Sequence, residues 1–148
     1  MQNPKITKVF FDCHKDSKAL HKRIKCCIEK VYDIQAMHML IKQWKMGEQS
    51  DISVTVPGLN KTLEEYKASH GINEYKDKMK EIFGEENEPY QARPLSLFYL
   101  KYAARDIEDL IEVKDKMLNE LRSLFKEEIV EKIVFYLSRE YVKKGCIY

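Results

Sequence analysis

The chain has 148 residues, 34% of them charged, and a formal net charge of +2. This length suits a single domain, and the near-balanced charge provides no overall basic field of the kind that marks many nucleic-acid binders. The longest apolar run is far short of a membrane span, and residues 1–15 lack the apolar centre of a signal peptide. The four cysteines form no CxxC pair and no zinc-ligand spacing, so we expect reduced thiols in an intracellular protein without a membrane association.

The charge is distributed unevenly along the chain. Residues 1–30 contain eight basic and three acidic side chains, a net charge of +5, while the remaining residues sum to −3. Most of the basic residues fall in one short segment, where they are Lys15, Lys18, Lys22, Arg23 and Lys25. This segment is either a nucleic-acid-binding face or a solvated helix surface, and composition alone does not decide between them.

The first third of the chain predicts two strands and two helices in alternation. Apolar, β-rich runs over residues 6–11 and 26–32 suit strands that are buried on both faces. A helix is expected between them, near residues 16–23, with Ala19 and Leu20 directed inward. Asp33 occupies an N-cap position, and apolar residues recur at helical spacing behind it as far as Trp44. This order favours a right-handed parallel crossover.

The rest of the chain predicts helices only. Loops are expected over residues 47–51 and in the acidic segment 84–89, where glycine, proline and acidic residues concentrate. Helices are predicted after Pro57-Gly58, around residues 75–83, along a long one-sided apolar stretch from Leu97 to Leu124, and over residues 126–143. Two parallel strands cannot form a stable sheet by themselves, and apolar parallel strands need covered faces. Something is therefore expected to complete the sheet.

Four segments have an order and spacing that point to one family. They are Lys8 to Leu20, with Asp16 on the helix that follows a strand; Val31-Tyr32-Asp33-Ile34-Gln35; Pro57 to Leu63; and Arg93-Pro94-Leu95 followed by Tyr102-Ala103-Ala104-Arg105-Asp106. Together they resemble the DEDD superfamily of 3′–5′ exonucleases, and within it the RNase D and Egalitarian-like branch. The resemblance covers residues 8–118, and the strongest part is the Tyr-x-x-x-Asp motif at Tyr102 and Asp106.

The resemblance implies a two-metal phosphodiester hydrolysis, in which carboxylates hold two cations about 4 Å apart. Asp16 and Asp106 would be metal ligands, and Tyr102 would orient the attacking water. Tyr102 and Asp106 stand four residues apart on a predicted helix, so they share a face. The cofactor of an active enzyme would be Mg²⁺ or Mn²⁺.

One part of the family pattern has no counterpart. The family places an Asp-x-Glu motif on the first strand of its sheet, and no such strand is found ahead of residue 8 in this sequence. The expected fold is therefore a helix-rich α/β structure, a partial ribonuclease H-like fold with about two parallel strands and six or seven helices. We expect residues 1–125 to form this partial exonuclease-like domain and residues 126–148 to form a C-terminal helical extension.

Three functions fit these observations. The chain could belong to an exonuclease whose Asp-x-Glu strand comes from a protein partner or from an N-terminal segment. It could be a catalytically inert module that binds nucleic acid, RNA more than DNA. It could also be a structural scaffold subunit whose strand edges dock onto a partner sheet. In each case the domain is expected to be inactive alone, because only two of four carboxylates are present.

Overall fold

The computed structural model describes residues 1–47, 55–85 and 93–146. Within these ranges none of the helices is both long and apolar enough to cross a bilayer. The predicted loops over residues 47–51 and 84–89 lie largely outside the described residues. In the described ranges the chain forms two strands and seven helices, namely β1 (Lys8–Phe10), α1 (His14–Ile24), β2 (Val31–Asp33), α2 (Ile34–Met46), α3 (Leu59–Glu65), α4 (Lys76–Glu85), α5 (Leu97–Ile107), α6 (Leu110–Leu124) and α7 (Glu127–Cys146).

The two strands pair in parallel, with Val9 opposite Tyr32, and α1 forms the connection between them. This is the predicted strand–helix–strand unit. Among the described residues each strand pairs only with the other, in the order β1-β2. The helix-rich partial α/β fold expected from the sequence is therefore confirmed.

The second strand is shorter than predicted. It begins at Val31, whereas the apolar run had suggested a start at Cys26. Lys25 and Lys30 have left-handed backbone conformations with φ of 53° and 51°, and they bracket the residues that were expected to extend the strand. Non-glycine residues in this conformation interrupt a regular strand, so only the last part of the apolar run pairs with β1.

The core lies between α2, α6 and α7, with α3 closing one side. Its buried side chains are Ile34, Met37, Ile41, Leu59, Leu63, Leu110, Val113, Met117, Leu121, Val130 and Val134. Half-buried Val9 and Tyr32 of the strands pack against this cluster from the sheet. A smaller cluster of Cys13, Ile28 and Val31 lies between the strands and α1.

Several apolar residues that were predicted to face inward are exposed. The stretch from Leu97 to Leu124 is divided between α5 and α6, and only its α6 half contributes buried side chains. Trp44 is 54% exposed and its ring is tilted against that of Phe125, with ring centroids 4.4 Å apart. Ala19 also faces solvent. Apolar periodicity identified these helices, but it did not determine which of them find a partner surface.

The last helix packs on elements from the start of the chain. α7 lies against α1 and β2, and it also contacts α2 and α6. Val130 and Val134 of α7 are buried in the same cluster as α2 and α6 side chains. The division of the chain at residue 125 stays a prediction, and α7 shares the core of the preceding elements.

Candidate functional site

Asp33 connects the end of β1 to the start of α2. Its buried carboxylate accepts hydrogen bonds from the backbone N–H groups of Cys13 at 2.8 Å and Ala36 at 3.1 Å. The second of these bonds caps α2, as the sequence predicted. The first holds the turn after β1, where Asp12 has a left-handed backbone with φ of 56°. Asp33 therefore sets where α1 begins, and thereby where Asp16 is presented.

Asp16 lies in the first turn of α1, among negative charge. Although the residue is exposed overall, partial desolvation of its carboxyl group raises its pKa, and the carboxylates of Asp12 and Asp33 raise it further. Three acidic side chains thus surround a single turn of the chain. A positive charge bound here would relieve their repulsion, which is the electrostatic condition that a cation-binding carboxylate requires.

Tyr102 and Asp106 lie on one side of α5, facing the segment that joins α3 to α4. Asn73 donates from Nδ2 to Asp106 Oδ1 at 2.8 Å and to the Tyr102 carbonyl oxygen at 3.2 Å. Lys76 Nζ is 3.1 Å from the same Asp106 oxygen and 5.7 Å from the centroid of the Tyr102 ring. The predicted shared face of Tyr102 and Asp106 is therefore occupied by an amide and an ammonium group.

Asn73 is the residue that organises this side of the molecule. It is 1% exposed, and its side-chain oxygen accepts the Tyr75 N–H at 3.0 Å. Its backbone N–H and carbonyl groups are both bonded to the side chain of Asn60 in α3. Analysis of the sequence did not identify Asn73 or Lys76. An asparagine two residues before Tyr75 could have indicated an Asx turn, but nothing local indicated the bonds to α5.

The α3–α4 segment is also fixed to the junction of α5 and α6. Arg105 donates to the carbonyl oxygens of His70 and Ile72 at 2.5 and 3.1 Å. His70 Nδ1 is 2.7 Å from Asp109 Oδ1, and this hydrogen bond, with the nearby charge of Glu108, raises the pKa of the His70 ring. These bonds hold α5 in place although it contributes no buried residue to the core.

The two predicted metal ligands do not come together as a metal group. Across residues 1–47, 55–85 and 93–146, no group of three or more His, Cys, Asp or Glu side chains is placed to hold a metal ion. Asp106 is balanced by Lys76, and Asp16 belongs to the separate turn beside Asp33. The residues present therefore do not by themselves fit a pair of divalent cations. The roles of Asp16, Tyr102 and Asp106 stay predictions.

The basic residues of α1 lie on its solvent-facing side. Lys15, Lys18 and Lys22 recur at intervals of three and four residues, which places them on one face of the helix. All three are exposed, as are Arg23 and Lys25 at the end of the helix; the buried side includes Ser17, and α1 packs against α7. A continuous basic face, here called the α1 basic face, is thus presented next to Asp16.

Comparison with known proteins gives two kinds of match. The sequence model of a family described as 3′–5′ exonuclease matches residues 1–122. Among solved structures, RNase D of Trypanosoma brucei matches with a TM-score of 0.76 and 22% identity, and its complex with GMP matches with a TM-score of 0.74 and 21% identity. No curated protein matches the sequence.

The structural matches cover nearly all of this chain but less than half of the others. They include 98% of the chain in both cases, against 46% of the first RNase D chain and 41% of the second. At this level of identity the likeness concerns the fold. The match extends through nearly the whole length, so α7 also has a structural counterpart in those chains.

Proposed function

Because this chain belongs to the 3′–5′ exonuclease family, whose sequence model matches residues 1–122, we propose that it is a partial exonuclease domain that binds nucleic acid. RNA is the favoured ligand, since the solved structures of similar fold are those of RNase D. The domain is inactive alone and becomes a 3′–5′ exonuclease only when an Asp-x-Glu strand is supplied to it.

The observation that carries this proposal is the α1 basic face next to Asp16. A helix that presents Lys15, Lys18 and Lys22 to solvent suits contact with a phosphate backbone. Partial desolvation, together with the carboxylates of Asp12 and Asp33, raises the pKa of Asp16, so its surroundings disfavour the negative charge. Perturbed carboxyl groups of this kind concentrate at functional sites. If the phosphates of an RNA backbone bound to the α1 basic face, the end of the RNA would pass close to the Asp16 carboxylate.

Activity requires groups that the chain does not assemble. Exonucleases of this family use divalent metals, and two carboxylates do not suffice to hold a metal pair. In addition, Lys76 already neutralises the charge of Asp106. A further strand bearing Asp-x-Glu would add two carboxylates and would give the parallel pair β1-β2 the additional neighbours that a stable sheet needs. We propose that a protein partner or an N-terminal segment provides it.

RNA binding is tested by fluorescence anisotropy with a 3′-labelled single-stranded RNA in a buffer without divalent ions. Changing Lys15, Lys18 and Lys22 to Glu should weaken binding by at least about tenfold and reduce its dependence on salt, because these side chains would no longer release counterions from the phosphates. A matched control replaces Lys61, Lys67 and Lys126, which are also exposed, and should change the affinity by less than about twofold.

Cleavage is measured on the same RNA with Mg²⁺ or Mn²⁺. The chain alone should not shorten it, and Asp106→Asn should leave RNA affinity unchanged. If the chain alone removed 3′ nucleotides from the RNA in a metal-dependent reaction, and Asp106→Asn abolished that reaction, the proposed inactivity of the isolated domain would be wrong. Equal weakening by both sets of lysine substitutions, or no binding at all, would instead favour the structural scaffold.

A further inference from the structure

The Asp106 carboxylate is surrounded by the chain's own positive and partly positive groups. Its Oδ1 accepts a hydrogen bond from Asn73 and lies against the ammonium of Lys76, the first residue of α4. Divalent cations such as Mg²⁺ and Mn²⁺ bind through oxygen atoms with free lone pairs. An oxygen atom that already serves an amide and an ammonium group is a poor ligand for a further cation.

The amide of Asn73 is fixed with its NH₂ group toward Asp106. Its Oδ1 accepts the backbone N–H of Tyr75, while its Nδ2 donates both to Asp106 and to the carbonyl oxygen of Tyr102. A half-turn of the amide would lose the bond from Tyr75 and place its oxygen against two other acceptors. Asn73 therefore presents a donor to Asp106 and has no second orientation in which it would offer a ligand to a cation.

The ammonium of Lys76 is held by both side chains of the Tyr-x-x-x-Asp motif. It lies 3.1 Å from Asp106 Oδ1 and 5.7 Å from the centroid of the Tyr102 ring, which is within the range of a cation–π contact. The side chains of Lys76 and Asp106 are each only 25% exposed, so solvent and salt screen this pair less than a surface pair. The motif thus surrounds one positive charge that belongs to the protein.

We infer that Lys76 is a tethered cation that takes the place of a metal ion at Asp106 and keeps divalent ions away from the Tyr-x-x-x-Asp motif. The inference rests on the proposed function in one respect, since it takes Asp106 as the acid of the family motif. The absent carboxylates remain one cause of inactivity, and Lys76 is a second, which a single substitution removes. An added Asp-x-Glu strand would have to draw Lys76 away from Asp106, so the contact is autoinhibitory.

Terbium luminescence of the full chain tests the inference without measuring cleavage. Tb³⁺ is a hard cation that binds carboxylate oxygens, and it emits when a nearby tyrosine is excited, so Tyr102 would report an ion at Asp106. In the unaltered chain, Asp106→Asn should leave the signal unchanged. Lys76→Met should raise it at least about twofold, because the competing charge is gone. The double variant Lys76→Met/Asp106→Asn should return it to the unaltered level.

Matched variants separate the charge of Lys76 from other effects of its replacement. Lys76→Arg keeps a positive charge and should leave the signal at the unaltered level. Lys80→Met removes the partner of Asp77 on the same helix, where the two side chains are 75% and 88% exposed, and should also change nothing. Circular dichroism checks that each variant is folded. Lys76→Gln, which retains a donor for Asp106 without the charge, replaces Lys76→Met if that variant is unfolded.

Two results would overturn the inference. A signal that Asp106→Asn lowers in the otherwise unaltered chain would show that a cation reaches Asp106 past Lys76. No gain of signal on removal of the Lys76 charge would leave the absent carboxylates as the sole cause. RNA affinity separates this test from that of the proposed function: without divalent ions, Lys76→Met should change it by less than about twofold, because Asp106 already neutralises this charge. A larger loss would instead assign Lys76 to phosphate binding and contradict its role as a substitute for a metal.

Discussion

The Nζ of Lys76 lies 3.1 Å from Oδ1 of Asp106, and Nδ2 of Asn73 donates to the same oxygen from 2.8 Å. Asp106 is the acid of the Tyr-x-x-x-Asp motif, so the carboxylate expected to meet a metal instead meets a lysine and a buried amide. Through these two contacts, Asn73 and Lys76 fix α5 to the segment between α3 and α4 and to the start of α4. These contacts also give Asp106 a structural role that can be measured separately from any catalysis.

Replacing Asp106 should affect stability according to whether an acceptor remains. Asp106→Ala leaves one N–H of the buried Asn73 without a partner, so we expect a loss of about 1–2 kcal/mol in the free energy of unfolding. Asp106→Asn keeps an oxygen that Asn73 can reach, and its cost should stay below about 1 kcal/mol. Urea unfolding followed by circular dichroism measures both. Asp115→Ala, at an exposed α6 position, is the control, and equal losses for the two Asp106 variants would contradict the assignment.

Asp16 should make the chain less stable at neutral pH than an asparagine would. Its pKa is raised in the folded state, so the folded chain holds this proton more tightly than the unfolded chain does. The resulting stabilisation is complete below the unfolded pKa and disappears as the pH rises through the folded value. Asp16→Asn should therefore raise the melting temperature at about pH 7 and show no difference at about pH 3.

The same comparison for Glu29→Gln controls for a general change of net charge. Glu29 is exposed and outside the group of Asp12, Asp16 and Asp33. A melting temperature that Asp16→Asn lowers at neutral pH would mean that attraction to the N-terminus of α1 outweighs the repulsion.

The cysteines should differ sharply in reactivity. Cys13 is fully buried, and burial together with the charge of Asp33 raises the pKa of its thiol, so almost no thiolate is present near neutral pH. Cys26 and Cys27 are only partly buried. We expect iodoacetamide to label Cys26 and Cys27 first and Cys13 only on unfolding, as read by peptide mass spectrometry. Early labelling of Cys13 in the folded chain would show that the turn after β1 opens readily.

His70 should contribute to stability mainly at acidic pH. Its pKa is raised by the hydrogen bond to Asp109 and by Glu108, so its contribution is present below the unfolded pKa and is lost as the pH rises through the folded value. The melting-temperature difference between the unaltered chain and His70→Gln should therefore be larger at about pH 5.5 than at about pH 9.

The sequence predicted those features of the fold that depend on patterns within a few neighbouring residues. The parallel pair β1-β2, the cap at Asp33 and the approximate position of most helices follow from apolar periodicity and cap chemistry, which act over a few residues. The break between α5 and α6 was not predicted, since apolar residues recur on both sides of it. The start of the second strand was predicted too early because two left-handed positions, Lys25 and Lys30, have no signature in side-chain type. Lysine rarely adopts this conformation, so nothing in the sequence indicated it.

The residues that surround the candidate site could not be predicted from the sequence, because they are brought together by contacts between distant parts of the chain. Asn73 is 33 residues from Asp106 in the chain, and Lys76 is similarly distant, so local patterns do not indicate that they meet. An asparagine and a lysine in a polar segment are typical of any surface loop. The exposure of Leu97, Leu100 and Ile107 could not be predicted either. An apolar stripe predicts that one face of a helix is buried, but it does not identify the surface that covers this face.

The packing of α7 on α1 and β2 has a consequence for synthesis on the ribosome. Helix α1 and strand β2 are made before the helix that covers them, since α7 follows all the other elements described here. Until α7 has left the exit tunnel, the apolar surface of the parallel strands lacks one of its layers and is open to chaperones and to other nascent chains. The strand–helix–strand unit therefore cannot be completed as it appears, and its productive folding must wait until α7 has been made.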